Sequence, residues 1–169
     1  MQRVMVIGSP GAGKSTFARA IAERLGLPLI HLDAEYWQTG WVEPPAEQWR
    51  SRVAALVADE RWVIDGNYGG SMDLRLSRAD TVVWLDYPTR VSLTRALRRI
   101  WRYRGQTRPD MAEGCVENFN WEFMHYIATF RRAKRPGIVR RLARFAGEVV
   151  QLRTPIDAER WLGALAPHR

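Results

Sequence analysis

An α/β architecture, with a parallel sheet covered on both faces, is what this sequence predicts, on three observations. Short apolar runs of strand length alternate with stretches of helical periodicity along the chain. The runs are apolar throughout, as strands buried on both faces require. Polar or glycine-rich residues follow directly after those runs, at Gly8 to Ser15, Asp33, Asp65 to Asn67 and Arg153-Thr154. In such sheets the carboxyl ends of the strands are where ligands bind.

The elements follow in order. Val4-Met5-Val6-Ile7 reads as the first strand, and Phe17, Ala18, Ile21, Ala22 and Leu25 give the next stretch a helical stripe from about Lys14 to Leu25, with Gly26 as its C-cap. Pro28 to Leu32 reads as a short buried strand ending at Asp33. An aromatic loop follows, with Tyr36, Trp37 and Trp41. Trp49, Val53, Leu56 and Val57 are spaced for a helix from about Pro45 to Ala58. Arg61 to Asp65 is the third strand and Gly66-Asn67-Tyr68-Gly69-Gly70 its loop. A short helix around Met72 to Ser77 leads to a fourth strand, Thr81 to Asp86. Pro88 opens a long helix carrying Val91, Leu93, Ala96, Leu97 and Ile100. The pattern breaks from about Arg102 to Asn120 around Gly105, Pro109 and Gly114. A helix is expected from about Val116 to Arg132, and another beyond Pro136-Gly137. Glu148 to Leu152 is the fifth strand. Thr154, Pro155 and Asp157 spell the N-terminal cap of a last helix.

The 169 residues fit one domain with a substantial core. No apolar run reaches the roughly 20 residues that span a bilayer. The first strand begins at once, so no export signal is expected, and the single Cys115 forms no disulfide within the chain. Both point to the cytoplasm. The formal net charge is +8. Residues 90–144 hold 14 Lys+Arg against 4 Asp+Glu, a net of +10, so the excess is local. All but Lys14 and Lys134 of the basic residues are arginine, a side chain suited to bidentate phosphate contacts.

Chemistry concentrates in Gly8-Ser9-Pro10-Gly11-Ala12-Gly13-Lys14-Ser15, followed by Thr16. This is G-x-x-x-x-G-K-[ST] between a strand and a helix, a loop whose backbone amides wrap a polyphosphate at a helix N-terminus. Lys14 is expected to reach the outer phosphates of a nucleoside triphosphate, and the Ser15 hydroxyl to ligate Mg²⁺. Trp62-Val63-Ile64-Asp65 reads as a Walker B strand whose carboxylate orients the same metal. Val83-Trp84-Leu85-Asp86 has a similar outline, but the glycine after Asp65 favours Asp65. His31 reads as a packed or strand-end histidine.

The chain resembles the adenylate-kinase-like branch of the P-loop kinases. Within it, the chain is similar to the small bacterial proteins called DNA topology modulation proteins. Ile-Gly-Ser-Pro-Gly-Ala-Gly-Lys-Ser, His-Leu-Asp-Ala-Glu-Tyr-Trp, Trp-Val-Ile-Asp-Gly-Asn-Tyr, Asp-Leu-Arg-Leu, Tyr-Arg-Gly-Gln-Thr-Arg-Pro-Asp-Met and Leu-Arg-Thr-Pro carry the likeness. It implies a three-layer P-loop NTPase fold with a five-stranded parallel sheet in the order 2-3-1-4-5. It also implies a helical, arginine-rich lid, here residues 102–146 of one 1–169 domain. By the same resemblance Arg95 and Arg99 flank the adenine and triphosphate, and Arg131, Arg132 and Arg135 are lid arginines that close on the transferring phosphoryl. Arg153-Thr154 matches the adenine loop. Where adenylate kinases hold the acceptor's phosphate with arginines, this chain has Tyr36 and Gly69, with Arg75 as the nearest replacement. Asp33 stands where kinases acting on hydroxyls keep a proton-accepting carboxylate. With Tyr36, Asn67, Tyr68 and Arg75 it is expected to form the acceptor side.

These expectations describe an ATP- and Mg²⁺-dependent phosphotransferase acting on a nucleotide or small-molecule acceptor. A DNA-associated regulator, with residues 90–144 as its basic surface, is the competing reading; no helix-turn-helix, zinc or RNA-binding signature supports it.

Overall fold

A computed structural model describes residues 1–166. Its centre is β1 (Arg3–Gly8), in which Val4, Met5, Val6 and Ile7 are wholly buried. On one side β1 pairs with β3 (Trp62–Asp65), which pairs with β2 (Leu29–His31). On the other side it pairs with β4 (Thr81–Leu85), which pairs with β5 (Glu148–Leu152). All pairs are parallel, and the order 2-3-1-4-5 is the expected one.

The two sides of the sheet are covered by different helices. Met5, Ile7, Trp62, Ile64, Val82 and Trp84 share an apolar cluster with Trp49 and Val53 of α3 (Ala46–Leu56) and Met72 of α4 (Met72–Leu76). Val4, Val6, Val63, Val83 and Leu85 cluster with Ala18, Ile21 and Ala22 of α1 (Lys14–Leu25) and Ala158 of α8 (Pro155–Ala164). Successive residues of one strand thus enter opposite layers, which explains the unbroken apolar runs. Gly26, at φ 59°, closes α1 by donating its N–H to the Ala22 carbonyl. Thr154 and Asp157 form the expected capping box on α8.

Three expectations change. Leu32 is not the end of a strand: a five-residue helix, α2 (Leu32–Tyr36), starts directly after β2 and carries Asp33. The helix expected from Val116 begins later, as α6 (Trp121–Ala133), because the Asn120 side chain accepts the Glu122 and Phe123 amides at 2.7 and 3.1 Å. Val116 instead bridges Thr107 within the loop that follows α5 (Thr89–Arg102). The basic region 102–146 is also not one body. Phe130 of α6, with Ile138 and Leu142 of α7 (Arg135–Leu142), belongs to the same cluster as Met5 and Trp84. Residues 103–120, hereafter the strap, are the long stretch of this region outside the helices and strands. Among the described residues no helix is long and apolar enough to cross a membrane.

Candidate active site

The glycine-lysine loop joins β1 to α1 at the middle of the sheet's carboxyl edge. Gly8 lies against β4 so closely that a Cβ there would sit 2.6 Å from the Leu85 carbonyl oxygen. Gly11, at φ 80°, leaves no room for a side chain beside the Ser92 carbonyl. Asn67 clamps the entrance to the loop: its Oδ1 accepts the Gly8 N–H at 3.1 Å and its Nδ2 donates to the Gly8 carbonyl at 2.7 Å. Arg95 donates to the Ala12 carbonyl at 2.8 Å and lies over the Tyr87 ring. Lys14 Nζ donates to the Ser9 carbonyl at 3.3 Å, Ser15 follows Lys14 in the first turn of α1, and Thr16 is exposed on the same turn. Gly13 offers α1 no side-chain cap, so the first-turn amides are left for an anion. Burial lowers the Lys14 ammonium from its ordinary value, against the opposing pull of Asp33 and Asp65, while Arg99 and Arg108 lower it further.

Two carboxylates flank this lysine. Asp65 ends β3 in register with Val6, and its Oδ1 lies 2.8 Å from His31 Nδ1 at the end of β2. Burial opposes a charged imidazole there, but the hydrogen bond and charge of Asp65 outweigh it and raise His31 above its ordinary value. Asp33 accepts the Tyr68 hydroxyl at 2.7 Å. Tyr68 is held at φ 30°, a conformation that side chains other than glycine's seldom adopt. Burial first, then Asp33, raise its phenol well above the usual range, so it stays a donor.

What holds Tyr68 there is Arg75, and this corrects the acceptor-binding expectation for that residue. Arg75 has no exposed surface. Its guanidinium donates to the carbonyls of Gly66 at 2.8 Å, Asn67 at 2.5 Å and Tyr68 at 3.1 Å. Burial lowers it to about 10, still charged at neutral pH. A buried cation spent on three consecutive carbonyls shapes the loop from behind and cannot reach an acceptor.

Tyr36, Trp49 and Tyr68 pack ring against ring, with centroids 4.6 to 5.1 Å apart. They line a cleft of about 420 Å³ together with Glu43, Arg50 and Gly69. Arg50 is already paired with Asp73 at 2.8 Å.

The arginines of the basic stretch separate into groups. Arg135 donates to both carboxylate oxygens of Asp86 at 2.9 to 3.1 Å and lies over Trp84. Arg131 approaches the same carboxylate at 3.7 Å, and Gln151 donates to it at 2.7 Å. Arg132 is exposed. These three expected lid arginines therefore do not meet over the phosphate loop: two are tied to the end of β4 and one faces solvent. The cations that bear on Lys14 are Arg99 and Arg108. Both bind Glu117, Arg99 at 3.0 Å and Arg108 at 2.8 Å. Arg108 also pairs with Asp110 at 3.0 Å; burial raises the Asp110 carboxyl, but Arg108 and then the Ser15 hydroxyl hold it below the usual carboxylate value. Arg153 is exposed and Thr154 serves as the cap of α8.

Residues 4–64 match the ATPase family associated with various cellular activities (AAA). A shikimate kinase of Thermobifida fusca (strain YX) is 64% identical over 62 residues, covering 32% of this chain and 36% of that protein. A shikimate kinase of Rhodococcus erythropolis (strain PR4 / NBRC 100887) is 32% identical over 111 residues, 57% of this chain and 63% of the relative. The chain thus spans about a third and just under two thirds of these relatives' lengths. A solved shikimate kinase from Acinetobacter baumannii, in complex with shikimate, aligns over 96% of this chain and 91% of its own, with TM-score 0.58 and 18% identity. The fold is the α/β P-loop fold with a five-stranded parallel sheet in the order 2-3-1-4-5. That likeness accounts for the sheet order and for the seat of the glycine-lysine loop between β1 and α1.

Sequence reasoning gave no role in this site to Arg108, Asp110 and Glu117, while His31, expected as a packed or strand-end histidine, ends β2 and pairs with Asp65. Arg-Pro-Asp-Met was visible as a motif, but nothing in its spacing says that it folds back onto Ser15. Buried Arg108 and Glu117, in a stretch without periodicity, become meaningful only once paired.

Proposed function

We propose that this protein is an ATP-dependent phosphotransferase that moves the γ-phosphoryl group to a hydroxyl of a small metabolite. The observation that carries the reading is the position of Asp33. Its carboxylate stands near enough to Lys14 for its charge to oppose, without cancelling, the effect of that lysine's burial, and it borders the aromatic cleft through Tyr68. Lys14 and the first-turn amides of α1 hold the triphosphate, and Arg95 steadies the loop on the nucleotide side. An acceptor seated on Tyr36 and Tyr68 directs its hydroxyl at the terminal phosphorus. Asp33 takes the hydroxyl proton as the new P–O bond forms and the bond to the departing diphosphate breaks. Arg108, rather than Arg131, Arg132 or Arg135, supplies the additional positive charge. Asn67 acts on the phosphate loop and not on the acceptor.

Mg²⁺ suits the oxygen donors present. The Ser15 hydroxyl and Asp65 carboxylate would hold it, and among the described residues no cluster of three or more His, Cys, Asp or Glu stands ready to bind a metal without the nucleotide. Bound there, the ion neutralises charge on the phosphates.

The names of the relatives make shikimate the first acceptor to test. A DNA-associated regulator, the alternative attached to the resemblance to DNA topology modulation proteins, is less well supported. Arg95, Arg99, Arg108, Arg131 and Arg135 are all engaged within the protein. The test is ADP release from Mg·ATP with shikimate, other small hydroxy acids, nucleosides and nucleoside monophosphates. Acceptor-dependent turnover that falls by about 10²–10³-fold in Lys14→Ala supports the reading. Turnover that no acceptor stimulates, or that Lys14→Ala leaves unchanged, overturns it.

A further inference from the structure

The loop after β3 reaches two ways with adjacent residues. Asn67 exchanges two hydrogen bonds with the Gly8 backbone, at the mouth of the phosphate loop. Tyr68 turns towards α2 and gives its hydroxyl to Asp33 Oδ1 at 2.7 Å. Among the described residues that is the one side-chain hydrogen bond of Asp33, so Oδ2 is left to meet an acceptor.

Reaching Asp33 takes an unusual backbone. Tyr68 is held at φ 30°, and such a conformation at a bulky residue persists only where its surroundings over-determine it. The Tyr68 ring fits over Gly66, where a Cβ would stand 2.9 Å from Leu32 Cβ and 3.2 Å from Tyr68 Cδ2. Arg75 fixes the turn from behind by donating to the carbonyls of Gly66, Asn67 and Tyr68. Packing does not account for the hydroxyl. Tyr36 and Trp49 lie 4.6 and 5.1 Å from the Tyr68 ring, centroid to centroid, and a phenylalanine ring would fill the same space. What the hydroxyl adds is a hold on Asp33.

We propose that Tyr68 is the positioning residue of Asp33: its hydroxyl fixes the carboxylate with Oδ2 towards the acceptor, on the loop by which Asn67 pins the phosphate loop. The inference rests on the phosphotransferase reading and adds to it the group that aims the base. One buried guanidinium, that of Arg75, thereby sets the base and the phosphate loop against each other. The charge of Asp33 acts on Lys14, whose ammonium donates to the Ser9 carbonyl instead of to the carboxylate. A carboxylate free to turn to that ammonium would be lost as a base and would draw Lys14 from the phosphates. In the transfer Oδ2 takes the hydroxyl proton, the acceptor oxygen bonds the γ-phosphorus, and the bond from that phosphorus to the departing diphosphate breaks. Tyr68 keeps its proton throughout.

A double-mutant cycle tests this by ADP release from Mg·ATP, with shikimate or whichever of the acceptors named above stimulates release most. Tyr68→Phe keeps the ring and loses the hydroxyl. It is expected to lower kcat by about 10²-fold, the scale of misplacing a reacting group by about an ångström, with little change in acceptor KM or in affinity for a non-hydrolysable ATP analogue. In the Asp33→Asn background the same substitution is expected to change kcat by less than about twofold, because a residue that acts through Asp33 has nothing left to act on. Equal losses in the two backgrounds overturn the positioning role. So does a rise in KM with kcat unchanged, which marks Tyr68 as an acceptor contact, or a matching loss of analogue affinity, which moves the effect to the phosphate loop. Intact kcat in Tyr68→Phe, where Asp33→Asn still loses turnover, overturns this inference alone. If Asp33→Asn costs no turnover, or no acceptor stimulates release, the phosphotransferase reading fails and the positioning role with it.

Discussion

The two halves of the cleft are built in different ways. The nucleotide half is backbone presented by tightly packed residues: glycines pressed against β4 and α5, a loop pinned by Asn67 and Arg95, and amides at the start of α1. The acceptor half is made of side chains from distant segments, with Tyr36 from α2, Trp49 from α3, Tyr68 from the β3 loop and a strap reaching in from beyond α5. A backbone cradle suits a triphosphate, whose phosphates look alike in every substrate. A side-chain wall can change its specificity without disturbing the cradle. Arg75 and Arg108 stand at the join and give the comparison its sharpest tests.

The largest effect is expected behind the loop. Arg75→Met strands one buried and two part-buried carbonyls and should lower unfolding stability by about 3 kcal/mol, at a cost of about 1–3 kcal/mol for a fully buried unsatisfied group. The urea midpoint at neutral pH measures it. A shift indistinguishable from that of a surface substitution would mean that the loop holds its shape unaided.

Arg108 against Arg132 comes next. Arg108→Ala is expected to reduce acceptor-dependent kcat by about 10²-fold or more, the scale of losing one group that stabilises developing charge, while Arg132→Ala changes it little. Equal losses, or a larger loss in Arg132→Ala, would return the lid role to α6.

These tests bear on what could be read from the chain itself. The sheet was legible because parallel strands buried on both faces leave unbroken apolar runs, and Gly8 to Ser15 because phosphate binding by backbone needs glycine at fixed places. Asp33 and Asp65 were legible as the polar ends of such runs. Arg75 was misread because its sequence says only that a cation follows the loop, and burial decides whether that cation faces substrate or carbonyls. The strap was opaque for a related reason. Its partners Gln38 and Thr39 lie more than 70 residues away, and its carboxylates and arginines form no periodic pattern.

The smallest effect lies far from the cleft and contrasts a structural carboxylate with Asp33. Burial pushes Asp80 upward, but hydrogen bonds from the Gln2 and Arg3 amides and the Thr81 hydroxyl outweigh it and hold it below the usual carboxylate value. A depressed folded-state value adds stability above the unfolded value, about 3.9, and loses it as pH falls through the lower folded one. The unaltered protein should therefore exceed Asp80→Asn in stability by a constant margin near neutral pH. That margin should shrink at acid pH, with acceptor-dependent turnover at neutral pH left intact. A margin that grows on acidification would contradict the assignment.

The most direct measurement compares Asp33→Asn with the unaltered protein in two readouts: acceptor-dependent ADP release and affinity for a non-hydrolysable ATP analogue. Removing the group that accepts the hydroxyl proton should cut turnover by about 10²–10⁴-fold while leaving analogue affinity within a small factor. Unchanged turnover, or a loss of analogue affinity as large as the loss of turnover, would show that Asp33 is not the base of a phosphoryl transfer to a hydroxyl.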